Sequence, residues 1–184
     1  MSRAIAILTK GAAFLAALLS VPTTAQAADG TALEAAVKAT YLYKFEAYVD
    51  WPASAFTSPT APFILCILGN DPFADTVERA VSGQHIGSRG FTVRRLTSIA
   101  GDAGCHVLYL SGAGTQTATD ALATVRGTPV LTVTDKAAGG PDRGIIDFVI
   151  DDNRVRFQIN SAAASANGVT ISSELLKLAL SVKP

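Results

Sequence analysis

From Thr31 to Asp50 the apolar positions Leu33, Val37, Tyr41, Phe45 and Tyr48 return every three to four residues, with Glu34, Lys38 and Glu46 between them. That period predicts an amphipathic helix. Trp51-Pro52 ends it, because proline cannot donate to the helix ladder and disfavours the helical conformation in the residue before it. Phe63 to Leu68 is an almost unbroken apolar run between Pro62 and Gly69, the pattern of a strand buried on both faces. Asn70-Asp71-Pro72 then offers capping side chains and a first-turn proline for a helix through about Val81.

Beyond the polar loop 82–90, alternation over Phe91–Leu96 predicts a second strand, and His106–Leu110 a third. A helix over about Gln116–Val125, a strand over Pro129–Val133 and a loop over Ala138–Gly144 follow. Ile145–Ile150 and Arg154–Ile159 flank Asp151-Asp152-Asn153 as an antiparallel hairpin. A last helix is expected over about Ser173–Val182, with Ser172 as its cap, Glu174 in its first turn and Lys183 near its end. Strands alternating with helices, closed by a hairpin, predict an α/β fold. The expected unit is one domain, residues 28–184, with a mixed, mostly parallel sheet of about six strands, helices on both faces and an antiparallel edge hairpin.

The first 27 residues carry a different pattern. Arg3 and Lys10 precede the apolar run Gly11–Val21, then Pro22 and the small residues Ala25-Gln26-Ala27, which together read as a signal peptide, residues 1–27, cleaved after Ala27. A membrane anchor would need about 20 predominantly apolar residues, and Thr9 and Lys10 interrupt this run. The 184-residue chain is 49% hydrophobic and 16% charged, which excludes intrinsic disorder. Its 15 basic residues balance 15 acidic ones, so nothing marks a nucleic-acid partner. Cleavage removes Arg3 and Lys10, and the remaining excess of two negative charges gives no drive onto an anionic bilayer. The mature protein is expected outside the cytoplasm with no direct membrane insertion.

Export changes the reading of Cys66 and Cys105, because oxidising compartments permit structural disulfides. The pair lacks the C-x-x-C spacing of a redox site and has no second thiol pair to build a zinc site. Each lies in or beside a predicted strand, so the alternatives are one bridge or two buried free thiols. A bridge would close a loop of about 40 residues, worth roughly 4 kcal/mol in the chain-entropy account.

Other candidate chemistry is sparse. Gly112-Ala-Gly-Thr-Gln-Thr117 between a strand and a helix, with Asp135 at the end of the next strand, resembles a dinucleotide-binding turn, but Thr117 stands where a third small residue is needed. A plain strand-to-helix turn with no cofactor is the better reading. Gly69-Asn70-Asp71-Pro72 reads as a helix cap rather than an anion site, since Asp71 would itself occupy the positive helix end. His85 and His106 lack the local spacing of a metal site, and Asp151 and Asp152 read as solvated turn residues. No Gly-x-Ser-x-Gly elbow and no evident acid–base pair supports catalysis, so no catalytic residue and no metal ligand is assigned.

The denser signal is aromatic. Tyr41, Tyr43, Phe45, Tyr48 and Trp51 place five of the protein's thirteen aromatic residues within eleven positions. No single helical stripe holds all five, so the alternatives are a core role for all or an anchor surface for a partner or a second copy.

The blocks 39–52, 66–73, Cys105-His106, 129–135, 153–160 and 171–179 resemble, in order, the YfiR family of small periplasmic proteins. The resemblance implies a non-enzymatic regulator that binds the periplasmic domain of an inner-membrane diguanylate cyclase and represses it, lowering cyclic di-GMP and restraining biofilm formation. It places Cys66 and Cys105 on the family's structural disulfide. On the aromatic clustering, Tyr41, Tyr43, Phe45, Tyr48 and Trp51 are the expected contacts for the cyclase or for a homodimer. The family's founding type carries a second, later cysteine pair; this chain has none after Cys105, so a redox switch built on that pair does not carry over. The competing expectation is a periplasmic small-molecule sensor with a cleft near Gly112 and Asp135.

Overall fold

The computed structural model describes residues 24–69, 71–112 and 114–184. Residues 1–23 of the expected signal peptide, and the expected cap Asn70, lie outside the described residues. Helix α1 (Thr24–Lys44) passes through a 3-10 turn (Phe45–Tyr48) into the short strand β1 (Val49–Asp50). Then come β2 (Phe63–Leu68), α2 (Phe73–Val81), β3 (Phe91–Leu96), β4 (Val107–Leu110), α3 (Ala118–Thr124) and β5 (Leu131–Thr134). The hairpin β6 (Ile146–Asp151) and β7 (Arg154–Asn160) is followed by α4 (Ser161–Ala166), β8 (Thr170–Ile171), α5 (Ser173–Leu178) and β9 (Ser181–Lys183). Among the described helices, none is long and apolar enough to cross a membrane.

The result is a single α/β domain on a seven-stranded sheet of order β3-β2-β4-β5-β6-β7-β9. Strands β3, β2, β4, β5 and β6 are mutually parallel, β7 is antiparallel to β6, and β9 is parallel to β7. A separate ribbon pairs β1 with β8 antiparallel. The hairpin turns on Asp152 and Asn153, both at positive φ (46° and 57°), as a two-residue turn whose twist matches its strands demands. Asp and Asn tolerate that region better than other residues with a side chain.

Helices cover both faces because β2 and β4 are apolar at every position. Ala39 and Leu42 of α1 and Phe73, Ala74 and Val77 of α2 pack on Leu65, Ile67, Val107, Tyr109, Val133, Phe148 and Phe157. Opposite them, Cys66, Leu68, Leu108 and Leu110 lie under Ala118 and Ala121 of α3. Asp71 accepts a hydrogen bond from the Phe73 backbone N–H at 2.8 Å, and Ser172 accepts one from Leu175 at 3.2 Å, so both act as helix caps.

Several elements differ from the sequence-based expectation: α1 begins at Thr24 rather than Thr31, and α4 and the β1–β8 ribbon are additions to it. The first helix stops at Lys44, and Val49 and Asp50 become extended because β8 offers backbone partners for them. The last helix ends at Leu178, and the chain continues as β9: Leu180 N–H donates to the Phe157 carbonyl at 2.8 Å, giving the free edge of β7 a partner. Local pattern does not separate these outcomes, since Leu178, Leu180 and Val182 alternate as a strand does while Leu175 and Leu178 keep helical spacing.

Candidate partner-binding surface

The 3-10 turn after α1 sorts the aromatic segment. Tyr41 and Phe45 lie one α-helical turn apart and stack at 5.7 Å between ring centroids. Phe45 meets Phe148 at 5.9 Å and Phe157 at 5.3 Å, is 1% exposed, and belongs to the core. No surface can recruit it without unfolding the helix, so its place among the expected contacts is corrected. Tyr41 is half-buried beside the same rings. Tyr43 turns to a different side and meets Phe91 edge-on at 6.0 Å. Trp51, past the helix end, is edge-on to Phe63 at 5.6 Å. Tyr48 alone of the five is openly exposed, at 40%. Its carbonyl accepts from Ser172 N–H at 2.9 Å, and the 3-10 turn packs on α5, which carries the 58% exposed Leu178.

The half-buried aromatics rest on a rigid support. Cys66 of β2 and Cys105, two residues before β4, are joined by a disulfide. Beside it, His106 accepts a hydrogen bond at Nδ1 from Ile64 N–H (2.9 Å), which leaves Nε2 protonated and donating to the Ala55 carbonyl (3.0 Å). The imidazole stacks on Phe56 at 4.4 Å, and Arg89 caps the other ring contact, 3.8 Å above Phe56. Burial holds the imidazole pKa below the usual histidine value, with the Ala55 hydrogen bond opposing and the Arg89 charge adding. Neutral His106 is therefore a structural clip between β2, β4 and the 53–56 turn. That position leaves no ring nitrogen for a metal, and among the described residues no three His, Cys, Asp or Glu side chains gather as ligands.

Glu46, in the 3-10 turn, is the opposite case. It is 3% exposed, and neither carboxylate oxygen has a hydrogen-bond partner among the described residues; the same holds for Trp51 Nε1. Burial alone pushes the carboxyl pKa up to about 9, so Glu46 is neutral at pH 7. The apolar spacing of the helix gave no signal of this residue.

The region of Gly112 and Asp135 is filled by the protein's own groups. Asp135 Oδ2 accepts from Lys38 Nζ and from the Tyr109 hydroxyl, each at 2.7 Å, while Oδ1 accepts from Ala137 N–H at 2.8 Å. Burial opposes the Lys38 ammonium, but hydrogen bonds and charge from Asp135 and Glu34 outweigh it and raise its pKa; burial and the Asp135 charge raise that of Tyr109. Asp135 is buried and held by the protein's own donors, so it is not presented to a ribose. Gly112 is needed because a Cβ there would lie 1.7 Å from the Ala137 carbonyl oxygen, a close backbone packing rather than a phosphate cradle. A groove of about 430 Å³ runs past Gly112, Thr117 and Gly139, and Asp135 does not line it.

The aromatic segment thus stands beside a cross-linked sheet in which His106 and Asp135 have hydrogen-bond partners, while Glu46 and Trp51 Nε1 have none among the described residues. No curated protein matches the chain. The YfiR/HmsC-like family matches residues 35–180, from within α1 to the residue before β9, and the chain belongs to that family.

Proposed function

We propose that the protein works in the periplasm as a regulator that binds the periplasmic domain of an inner-membrane diguanylate cyclase and holds it inactive, so that less cyclic di-GMP is made and biofilm formation is restrained. The match to the YfiR/HmsC-like family over residues 35–180 carries this reading. Binding by itself represses nothing. The protein must bind the inactive state of the cyclase more tightly than the active one, and a ratio of about 10⁴ is needed to move a population from 1:99 to 99:1.

The docking surface in this reading draws on the exposed Tyr48 and the half-buried Tyr41, Tyr43 and Trp51. Large rigid rings with a polar edge bury area at low entropy cost, and the disulfide and His106 clip keep their support fixed before binding. The same surface is where a homodimer would form. The polar groups that an enzyme would need, Lys38, Tyr109, Asp135 and His106, are engaged with one another or with backbone, which favours a binder over a catalyst.

Co-purification from detergent-solubilised membranes tests this. The wild-type protein retains a membrane-bound cyclase, and Tyr48→Ala weakens that retention by about tenfold or more while moving stability by less than about 0.5 kcal/mol. Undiminished retention by Tyr48→Ala and Tyr43→Ala together would remove the surface; absence of any cyclase from the wild-type eluate would remove the function.

A further inference from the structure

On the face of the sheet that carries α3, the apolar core stops at β5. The residues in register beyond it form a polar row, Thr134 beside Asp147, Asp147 beside Gln158, and Gln158 beside Ser181. Two adjoining cavities of about 390 and 340 Å³ open over this region and share Arg143, Asn160 and Lys183. The larger is lined by Arg126 at the end of α3, Arg143 before β6 and Lys183 of β9, over an apolar floor that includes Leu122 and Ile145, and no Asp or Glu side chain lines it. Each volume lies within the range of small-molecule sites, about 300–1,000 Å³.

The charges do not balance internally. Arg126 and Lys183 have no hydrogen-bond or ion-pair partner among the described residues. Arg143 leans on Asp147 at 3.3 Å and on the carbonyls of Gly140 and Asp142. The acids of the neighbouring cavity are already engaged: Asp147 accepts from Thr134 at 2.7 Å and Asp142 from Thr119 at 2.5 Å. Three cations from three separate stretches therefore converge on one cavity, and only Arg143 has an acidic side chain beside it, Asp147 of the neighbouring cavity.

We infer that this cavity between α3, α4 and β9 binds a small amphiphilic anion, its carboxylate or phosphate head held by Arg126, Arg143 and Lys183 and its apolar body laid on Leu122 and Ile145. Charge-assisted hydrogen bonds fix the head, and arginine's fork suits planar carboxylate or phosphate oxygens. The site is separate from the Tyr48 surface and does not depend on the docking reading.

Phenyl phosphate carries both halves of such a ligand. Calorimetric titration of the full chain, together with amide-shift mapping, compares it with inorganic phosphate and with benzyl alcohol. Phenyl phosphate is expected to bind tightest of the three and to shift amides of α4, β9 and residues 126–132. Arg126→Glu with Lys183→Glu is expected to weaken it by tenfold or more, whereas the remote reversal Arg79→Glu leaves it unchanged. Both altered positions are exposed, and an unchanged melting profile shows that the variant is folded. Equal affinity in the double variant, shifts mapped elsewhere, or no binding of phenyl phosphate at millimolar concentration would overturn the inference.

Discussion

One face of the sheet is built in two ways. Under α3, β2 and β4 present Cys66, Leu68, Leu108 and Leu110 to an apolar layer that the Cys66–Cys105 disulfide locks. From β5 onward the same face presents Thr132, Thr134, Asp147 and Gln158, and residues of the six-residue α4 line a cavity there together with Thr132. The difference is one of cover. A sheet buries apolar side chains only where a helix supplies the opposing surface, so the half without a long helix carries polar residues and keeps open cavities. The closed half gives rigidity and the open half leaves room for a ligand.

The largest expected effect is on the opposite face of the sheet, which α1 and α2 cover and against which both halves are compared. Phe45→Ala, opposite Phe148 and Phe157, is expected to cost about 3–5 kcal/mol, read as the denaturant midpoint at constant slope. A loss below about 1 kcal/mol would mean that this aromatic layer is not the core it forms in the structure. Next comes the cross-link. Cys66→Ser with Cys105→Ser opens a loop of 39 residues' separation and is expected to cost roughly 4 kcal/mol at most, through the freer unfolded chain. In a repression assay the same double variant loses activity in proportion to its folded fraction.

Buried Glu46 adds a pH dependence to the covered side. Its folded pKa, about 9, lies above the unfolded value of 4.5, so the native state holds a proton that the unfolded state releases over that interval. Stability is therefore full below about pH 4.5 as far as this group is concerned and declines as pH rises toward 9, by about 1 kcal/mol per unit. His106 acts with the other sign: its folded pKa is depressed, so stability falls as the solution is acidified below the unfolded value of 6.5. Of these two groups, Glu46 dominates between pH 7 and 9. Glu46→Gln is expected to flatten that slope in urea titrations run at each pH, and an unchanged slope would place the carboxylate in contact with water or a cation. The smallest effect belongs to the open half. Gln158→Ala on its polar row is expected to stay within about 0.5 kcal/mol of wild type, because no apolar cover is lost there. A cost of several kcal/mol would show that this half is closed after all.

Much of the division is legible in the strands themselves. Phe63–Leu68 and Val107–Leu110 are apolar throughout and are covered on both faces. In β6, buried Ile146 and Phe148 alternate with half-buried Asp147 and Val149, and the alternation ends at the exposed Ile150. The proposed docking surface is only half legible. Clustered rings are plain in the chain, yet which of them stand free depends on a 3-10 turn whose phase no local pattern sets, and so Phe45 is core while Tyr48 is exposed. The converging cations Arg126, Arg143 and Lys183 gave no signal at all, because they come from three distant stretches.

Periodicity and turn chemistry alone determined the α/β class, the strand-helix alternation, the caps at Asp71 and Ser172 and the Asp152-Asn153 hairpin, since each rests on residues a few positions apart. Tertiary structure decided what needs partners distant along the chain. It made a strand of Ser181–Lys183 against β7, drew Val49 and Asp50 to β8, and closed Asp135 on Lys38 and Tyr109. An edge strand or a buried charge is stable only beside the group that satisfies it, and only the folded chain brings that group within reach.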